Sequence, residues 1–328
     1  MRLRLVGGAV ADTVAMWDIP RERWLPIADA LSHPATQPTQ HTVLAGLSAD
    51  IVAFLAAGAR AQEAVLALAD RLADESFATD LTPRLPFVAR SLRPFLLSPS
   101  HSDGVVRGMT ARYAPGGGGA RRVHDAESEA RPLMLRTPLL YQGNHNALVP
   151  DGTPIVTPPY GRDLDFELEI GFVICRDVRD ASEAECRNAI GGLVILNDVS
   201  LRDTQLEEVL GSPLGPINKC KSFATAMSSD VLTADEVLDD LSVITGTVEV
   251  NGEYWCSGRA DDFAHSLEAC AARACAGETV YAGELFSTGT LAGCSGIELG
   301  RLPPPGATVT LTVPTIGTLT NQFGRTLK

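Results

Sequence analysis

The residues in this chain best able to do chemistry are carboxylates. Glu167 and Glu169 stand two apart in DFELEIGFVICR (165–176), a run that alternates polar and apolar residues as a strand does. Side chains two apart on a strand share a face. Phe166, Leu168, Ile170 and Phe172 therefore fall on one side, and Glu167, Glu169, Gly171, Val173 and Cys175 on the other. For most strands the bland arrangement, with glutamates turned to water, is the expected one. Here the glutamate face turns apolar at Val173 and Cys175, which implies that it is covered. Two carboxylates ~7 Å apart on a covered face repel unless a cation lies between them. A third acid, Asp198, follows the apolar run Leu193–Leu196, where a buried strand emerges, although it could equally cap a turn with Ser200. Three oxygen donors with no histidine or cysteine cluster suit a hard cation such as Mg²⁺, Mn²⁺ or Ca²⁺, with other positions open to water or substrate. Spacing alone leaves both readings open.

Composition bounds what such a site can serve. The 328 residues, 45% hydrophobic and 20% charged, can bury one large core or two modest ones. No stretch approaches the ~18 apolar residues of a membrane span, and MRLRLVGGAVADTVAMWDIP lacks the sustained apolar core of a secretory leader. A cytoplasmic protein with no membrane partner is expected. Seven cysteines (Cys175, Cys186, Cys220, Cys256, Cys270, Cys275 and Cys294), with no Cys-x-x-Cys pair, argue for reduced, buried thiols. A formal charge of −13 without a lysine-arginine block argues against nucleic acid, and an anionic substrate must be drawn in by local positive charge or a bound cation. Gly116–Gly119 lacks the Gly-Lys-Ser/Thr of a phosphate loop, and GCSG at 293–296 falls short of a nucleophile elbow.

Several elements must position the acids. Residues 1–45 mix short apolar stretches with Pro20, Pro26, Pro34 and Pro38, as small strands and loops do. Ser48 is the expected cap of a helical run through Ile51, Phe54, Leu55, Val65, Leu66 and Leu72, broken near Gly58. Residues 1–88 read as a smaller α+β accessory domain and 89–328 as the catalytic one. The segment 114–131, APGGGGARRVHDAESEAR, has little to bury and is expected to be a mobile loop. After the glutamate strand, Ser182 and Glu185 form a capping box for a short helix expected to end at Gly191-Gly192, before the strand LVILNDVS. Asn251-Gly252 marks a hairpin, and TVTLTVPTIGTLTNQFG is strand-like, so the larger part is β-rich with few helices.

The segments LDFELEIGFV (164–173) and LNDVSLRDTQ (196–205), with the capped helix between them, resemble the signature of the fumarylacetoacetate hydrolase superfamily. GPINKCKSF (215–223) resembles its lysine segment. VEVNGE (248–253), STGTLAGCSGIELG (287–300) and IGTLTNQFG (316–324) resemble its hairpin, threonine-bearing turn and closing strand. LLYQGNHNALVPDGTPI (139–155) resembles the strand that brings in a substrate-contacting tyrosine. The likeness spans roughly residues 90–328, in order. It implies an α+β fold with a mixed β-roll or β-sandwich catalytic domain, and a homodimer. It also implies a metal held by Glu167, Glu169 and Asp198, an oxyanion stabilised by Lys221, and a small anionic keto-acid substrate. Tyr141 and Gln205 would orient that substrate, Thr290 would contact its carboxylate, and Arg202 would lie beside the metal site.

One departure stands out. The family's Arg-Asp-Phe segment supplies a fourth metal ligand, and here it reads Arg93-Pro94-Phe95. Proline offers no ligand oxygen, so three carboxylates plus waters are expected. His101, expected in a Ser- and Pro-rich loop, keeps the offset of the family's general base, and Glu298 matches the glutamate that orients it. His145 is a second candidate base, and Arg107 and Arg112 are candidates for a carboxylate clamp. The resemblance implies hydrolysis of a carbon-carbon bond in a 1,3-dicarbonyl acid of acylpyruvate or fumarylacetoacetate type. The superfamily's decarboxylases, hydratases and keto-enol isomerases are the alternative, and a non-catalytic ligand-binding member is a third reading.

Overall fold

The computed structural model describes residues 1–8, 11–114, 132–212 and 218–325. The glycine-rich stretch expected to be a loop lies, from residue 115 onward, outside the described residues. The strand Glu167–Ile174 sits inside a ten-stranded sheet and is buried along its whole length. Its neighbours are both antiparallel, Ile190–Asp198 on one side and Leu285–Ser295 on the other. Phe166, Leu168, Ile170 and Phe172 enter one hydrophobic core, while Val173 and Cys175, on the glutamate side, enter a second. The glutamate face is covered, as its apolar continuation implies.

What covers it comes from the start of the chain. Strands Arg2–Gly7, Asp12–Asp18 and Arg23–Pro26 extend the large sheet, because Arg2–Gly7 pairs antiparallel with Asp230–Thr233. Helices Ile51–Ala57 and Ala59–Arg71 break at Gly58, whose φ of +57° lies in the region glycine favours. Phe54, Leu55, Val65 and Leu68 from these helices share the second core with Val173, Cys175, Val194 and Leu196. The first helix is capped by Asp50, whose carboxylate accepts from the Ala53 amide, and not by Ser48. The Ser48 carbonyl is instead engaged by the Thr13 hydroxyl and the Val14 amide.

The capping box Ser182/Glu185 opens a short helix, Glu183–Arg187. It ends earlier than expected, because Gly191 and Gly192 already belong to the strand Ile190–Asp198. Their role there is close approach: a β-carbon at Gly191 would lie 2.8 Å from Cys175 and from Leu55. A five-stranded sheet is formed by Glu253–Arg259, Thr245–Val250, Thr308–Val313, Gly317–Arg325 and Ile155–Val156. Asn251 and Gly252, both at positive φ (55° and 77°), make the tight turn of its hairpin. Residues of both sheets fill the first core, giving an α+β architecture. All seven cysteines are buried, and none is paired in a disulfide. Among the described residues no single helix is long and apolar enough to cross a membrane.

Candidate functional site

Antiparallel pairing brings the three acids together. Leu196 stands opposite Glu169 in the register, so Asp198, the last residue of its strand, reaches the level of the glutamates. One carboxylate oxygen each from Glu167, Glu169 and Asp198 lies within 4.8 Å of the others, and none of the three residues is more than 4% exposed. On the other flank, Leu285–Ser295 is bulged twice, setting Thr290 opposite Glu169 and Ser295 opposite Glu167. Gly289 permits the first irregularity, since its φ is +78° and a β-carbon there would meet the Phe95 carbonyl at 2.7 Å.

Each carboxylate has different company. The Lys221 ammonium donates to Glu167 Oε2 (2.5 Å), Asp198 Oδ2 (2.6 Å) and Ser200 Oγ (2.8 Å). The Arg202 guanidinium, fully buried, donates to Asp165 Oδ2 and Glu167 Oε1, both at 2.7 Å, and to Gln205 Oε1 at 2.8 Å. Glu169 receives hydroxyls, from Ser287 and from Thr290 (3.5 Å). Asp198 has the Tyr141 and Thr225 hydroxyls at 3.5 Å. Burial opposes ionisation of Glu167, but Lys221 and Arg202, with His101 behind them, hold its carboxyl well below the usual range. Burial pushes Glu169 well above that range, and the charges of Asp198 and Glu167 add to the effect. Asp198 is raised by burial against the pull of Lys221.

These shifts describe a site short of positive charge. Asp165, Glu167, Glu169 and Asp198 contribute four negative charges, and Arg202 and Lys221 two positive ones. The buried cluster is left at a formal −2. A divalent cation matches both the deficit and the oxygen-only donor set of the triangle.

His101 is not in a loop. It is the third residue of the helix Pro99–Tyr113, where the Ser98 side chain caps its amide at 3.0 Å. From there Nδ1 meets Glu298 Oε2 at 2.8 Å, and Nε2 lies 3.9 Å from Glu167 Oε1. Glu298 is itself fixed by the Gly293 amide (3.0 Å) and the Ser295 hydroxyl (2.7 Å). The helix can come this close because Gly104 faces Glu298, and a β-carbon there would collide with its carboxylate. A carboxylate on Nδ1 selects the tautomer protonated at that nitrogen and leaves Nε2 as the basic atom.

Pro94 lies in the strand Leu92–Pro94, parallel to Leu285–Ser295 and in register with Ser287, the residue that binds Glu169. The position where the resemblance expects a fourth acid therefore borders the triangle, and it presents a proline ring. Hydrogen bonds and ion pairs link Glu167, Asp198, Lys221, Tyr141, Arg202, Gln205, His101 and Glu298 into one network, and Glu169, bound to Thr290, adjoins it across the carboxylate triangle. His145 sits half-exposed in the turn His145–Ala147, and among the described residues no hydrogen bond or ion pair ties it to the carboxylates. Arg107 is exposed, and Arg112 is committed to Asp163 at 3.1 Å. Arg202 and Asp203 do not pair with each other. Asp203 accepts from the Arg162 and Asp163 amides, while Arg202 turns inward.

Two members escaped the sequence reading. Asp165, fully buried, accepts from Arg202 and from the Gly296 and Ile297 amides. Its place two residues before Glu167, on the same strand face, was the available signal. Ser287 had none, since only the cross-strand register brings it to Glu169.

The family model described as Fumarylacetoacetate (FAA) hydrolase C-terminal matches residues 116–324. The mitochondrial oxaloacetate tautomerase FAHD1 of Pongo abelii is 29% identical over 178 residues, 54% of this chain and 80% of that protein. Among solved structures, the fumarylacetoacetate hydrolase of Exiguobacterium antarcticum matches with a TM-score of 0.65 at 16% identity, over 99% of this chain and all of that one. The 2-hydroxyhepta-2,4-diene-1,7-dioate isomerase of Mycobacterium marinum matches with a TM-score of 0.60 at 23% identity, over the whole of both chains. At these identities the two structures speak for the fold alone.

Proposed function

This chain belongs to the fumarylacetoacetate hydrolase family, and from that premise we propose that it is a keto-enol tautomerase dependent on a divalent metal. It moves a proton at the carbon next to the keto group of a small 2-oxo acid. The observation that carries this reading is the His101 imidazole, oriented by Glu298 and facing the acidic triangle through a nitrogen 3.9 Å from Glu167. The oxaloacetate tautomerase among the relatives supports the substrate class. Glu167, Glu169 and Asp198 would hold Mg²⁺ or Mn²⁺, which when bound supplies Lewis-acid polarisation of the substrate's keto and carboxylate oxygens.

The chain's own residues do the rest. His101 Nε2 takes the proton from the carbon beside the keto group and delivers it to the keto oxygen, giving the enol, and the reverse transfers restore the keto form, while Glu298 stabilises the imidazolium formed in between. Lys221 and Tyr141 face the developing oxyanion. Thr290 and Gln205 orient the carboxylate end, and Arg202 keeps Glu167 ionised. Burial of the cluster strengthens each of these interactions. A homodimer, and the division of the chain at residue 88, belong to the same proposal.

Carbon-carbon hydrolysis is the second reading. The His101–Glu298 pair favours it, because an imidazole with a buried carboxylate behind it can also take a proton from water. One experiment separates the two. Incubation with oxaloacetate and Mg²⁺ or Mn²⁺ in D₂O is expected to accelerate decay of the enol absorbance and deuterium uptake at carbon 3. Splitting of an acylpyruvate into two acids, without such exchange, would assign the enzyme to hydrolysis. Absence of both activities would sink the proposal.

Metal uptake has its own signature. Glu169 is held above the ordinary carboxylate range, so the metal-free site carries a proton there that a cation must expel. Binding of Mg²⁺ is therefore expected to release a proton and to tighten as pH rises. Calorimetric titration in two buffers of different ionisation enthalpy reads this, and an affinity independent of pH contradicts it.

A further inference from the structure

Toward the other edge of the large sheet, an open cleft of about 660 Å³ is bordered by Arg2, Arg4, Trp17, Trp24, Phe77 and Leu81. That volume lies in the range of small-molecule sites, about 300–1,000 Å³. The cleft is built on a cross-strand pair: Trp17 faces Trp24 in the register, with ring centroids 5.3 Å apart at 61°. The Arg2 guanidinium carbon lies 4.8 Å from the Trp17 centroid and 5.4 Å from that of Trp24, and Arg4 stands 5.2 Å from Trp24.

The charged groups here are not equally engaged. Arg4 is bound to Asp230 at 2.5 Å. Arg23 is consumed by Asp18 and by the Leu72 and Glu75 carbonyls. The Glu75 carboxylate lies 3.6 Å from His33. Arg2 differs: its Nε is buried, and among the described residues it has no hydrogen-bond partner. A guanidinium set against two indoles, with no carboxylate paired to it among the described residues, can donate to an incoming oxyanion from its planar fork in bidentate fashion.

We propose that this cleft is a second ligand site, for a small aromatic monocarboxylate, with Arg2 as its anchor. The carboxylate pairs with the Arg2 fork, and the ring rests on Phe77, Leu81 and the indole edges. Phosphate fits less well, having no apolar body for that platform, and Glu22 on the rim repels a dianion. The site stands apart from the carboxylate triangle and does not depend on the reaction proposed for it. In the sheet order, the strand bearing Arg2 is separated from the strand bearing Asp198 by Asp230–Thr233.

Benzoate is the probe, and the tryptophans are the reporters. Titration of the full chain with benzoate is expected to change the fluorescence of Trp17 and Trp24 saturably at millimolar concentration, whereas benzyl alcohol, of similar shape but uncharged, does not. Arg2→Gln should weaken binding about tenfold or more, as loss of a charge-assisted pair does, with the melting temperature and metal uptake unchanged. Arg2→Lys, which keeps the charge and loses the fork, should fall between the two. No saturable response to benzoate would overturn the proposal. So would equal affinity in Arg2→Gln and Arg2→Lys to that of the parent chain, or Arg2-dependent binding of inorganic phosphate as tight as that of benzoate.

Discussion

Glu169→Gln is expected to lower turnover at least about 10²-fold, yet to leave the metal-free protein folded and more stable near neutral pH. The activity loss follows from the donor set. Changes to groups that merely support a metal ligand cost roughly 10–100-fold, and here a ligand itself is weakened in a site already limited to three acids by Pro94. The stability gain follows from linkage. Burial and the charges of Asp198 and Glu167 raise Glu169 above its unfolded value, so the metal-free fold binds that proton more tightly than the unfolded chain does. The favourable contribution is complete below the unfolded pKa of ~4.3 and is lost as pH rises through the folded one. Glutamine keeps the shape and can still meet the Ser287 and Thr290 hydroxyls, but carries no charge to repel its neighbours. Thermal melts of chelated wild-type and variant across pH should therefore diverge as pH rises, with the wild-type falling. Equal turnover at saturating Mg²⁺, or parallel stability curves, would remove Glu169 from the site.

What the sequence made legible follows the range of the forces involved. The period of two between Glu167 and Glu169 and the apolar residues that continue their face were enough to call for a covered face. The capping box at Ser182/Glu185 and the Asn251-Gly252 turn are local hydrogen-bonding devices, and they read directly. Competing local signals were decided by tertiary contacts. Ser48 and Asp50 are both good caps, and the cap falls to Asp50 while Thr13 and Val14 engage the Ser48 carbonyl. Gly191-Gly192 looks like a helix stop, but it is glycine because Cys175 and Leu55 leave no room for a side chain. His101 read as loop because its surroundings are rich in serine and proline, though Ser98-Pro99 is a helix-start signal. Out of reach were the long-range partners: Arg4 meets Asp230 across 226 residues, and nothing local announces that the first strands extend the sheet of the carboxylate triangle.

The His101–Glu298 pair offers the second large effect. His101→Ala is expected to cost the ~10²–10⁴-fold typical of a lost proton carrier, while Mg²⁺ uptake persists, because the imidazole is outside the triangle and meets Glu167 only at 3.9 Å. Glu298→Gln should follow the same course. Its carboxylate touches Nδ1, the Gly293 amide and the Ser295 hydroxyl, so it acts on the reaction through the ring it orients. Two groups serving one proton transfer are not additive, and the double variant should be little slower than His101→Ala alone. The kinetic constants distinguish this from loss of packing: His101→Ala and Glu298→Gln should lower kcat while KM and Mg²⁺ affinity stay near wild-type, whereas a loosened fold would weaken binding as well. His145→Ala is the control, since His145 lies half-exposed in its turn, and it should keep wild-type turnover. Full activity in His101→Ala together with a collapse in His145→Ala would transfer the role of base. Losses that multiply in the double variant would show that Glu298 does something His101 does not.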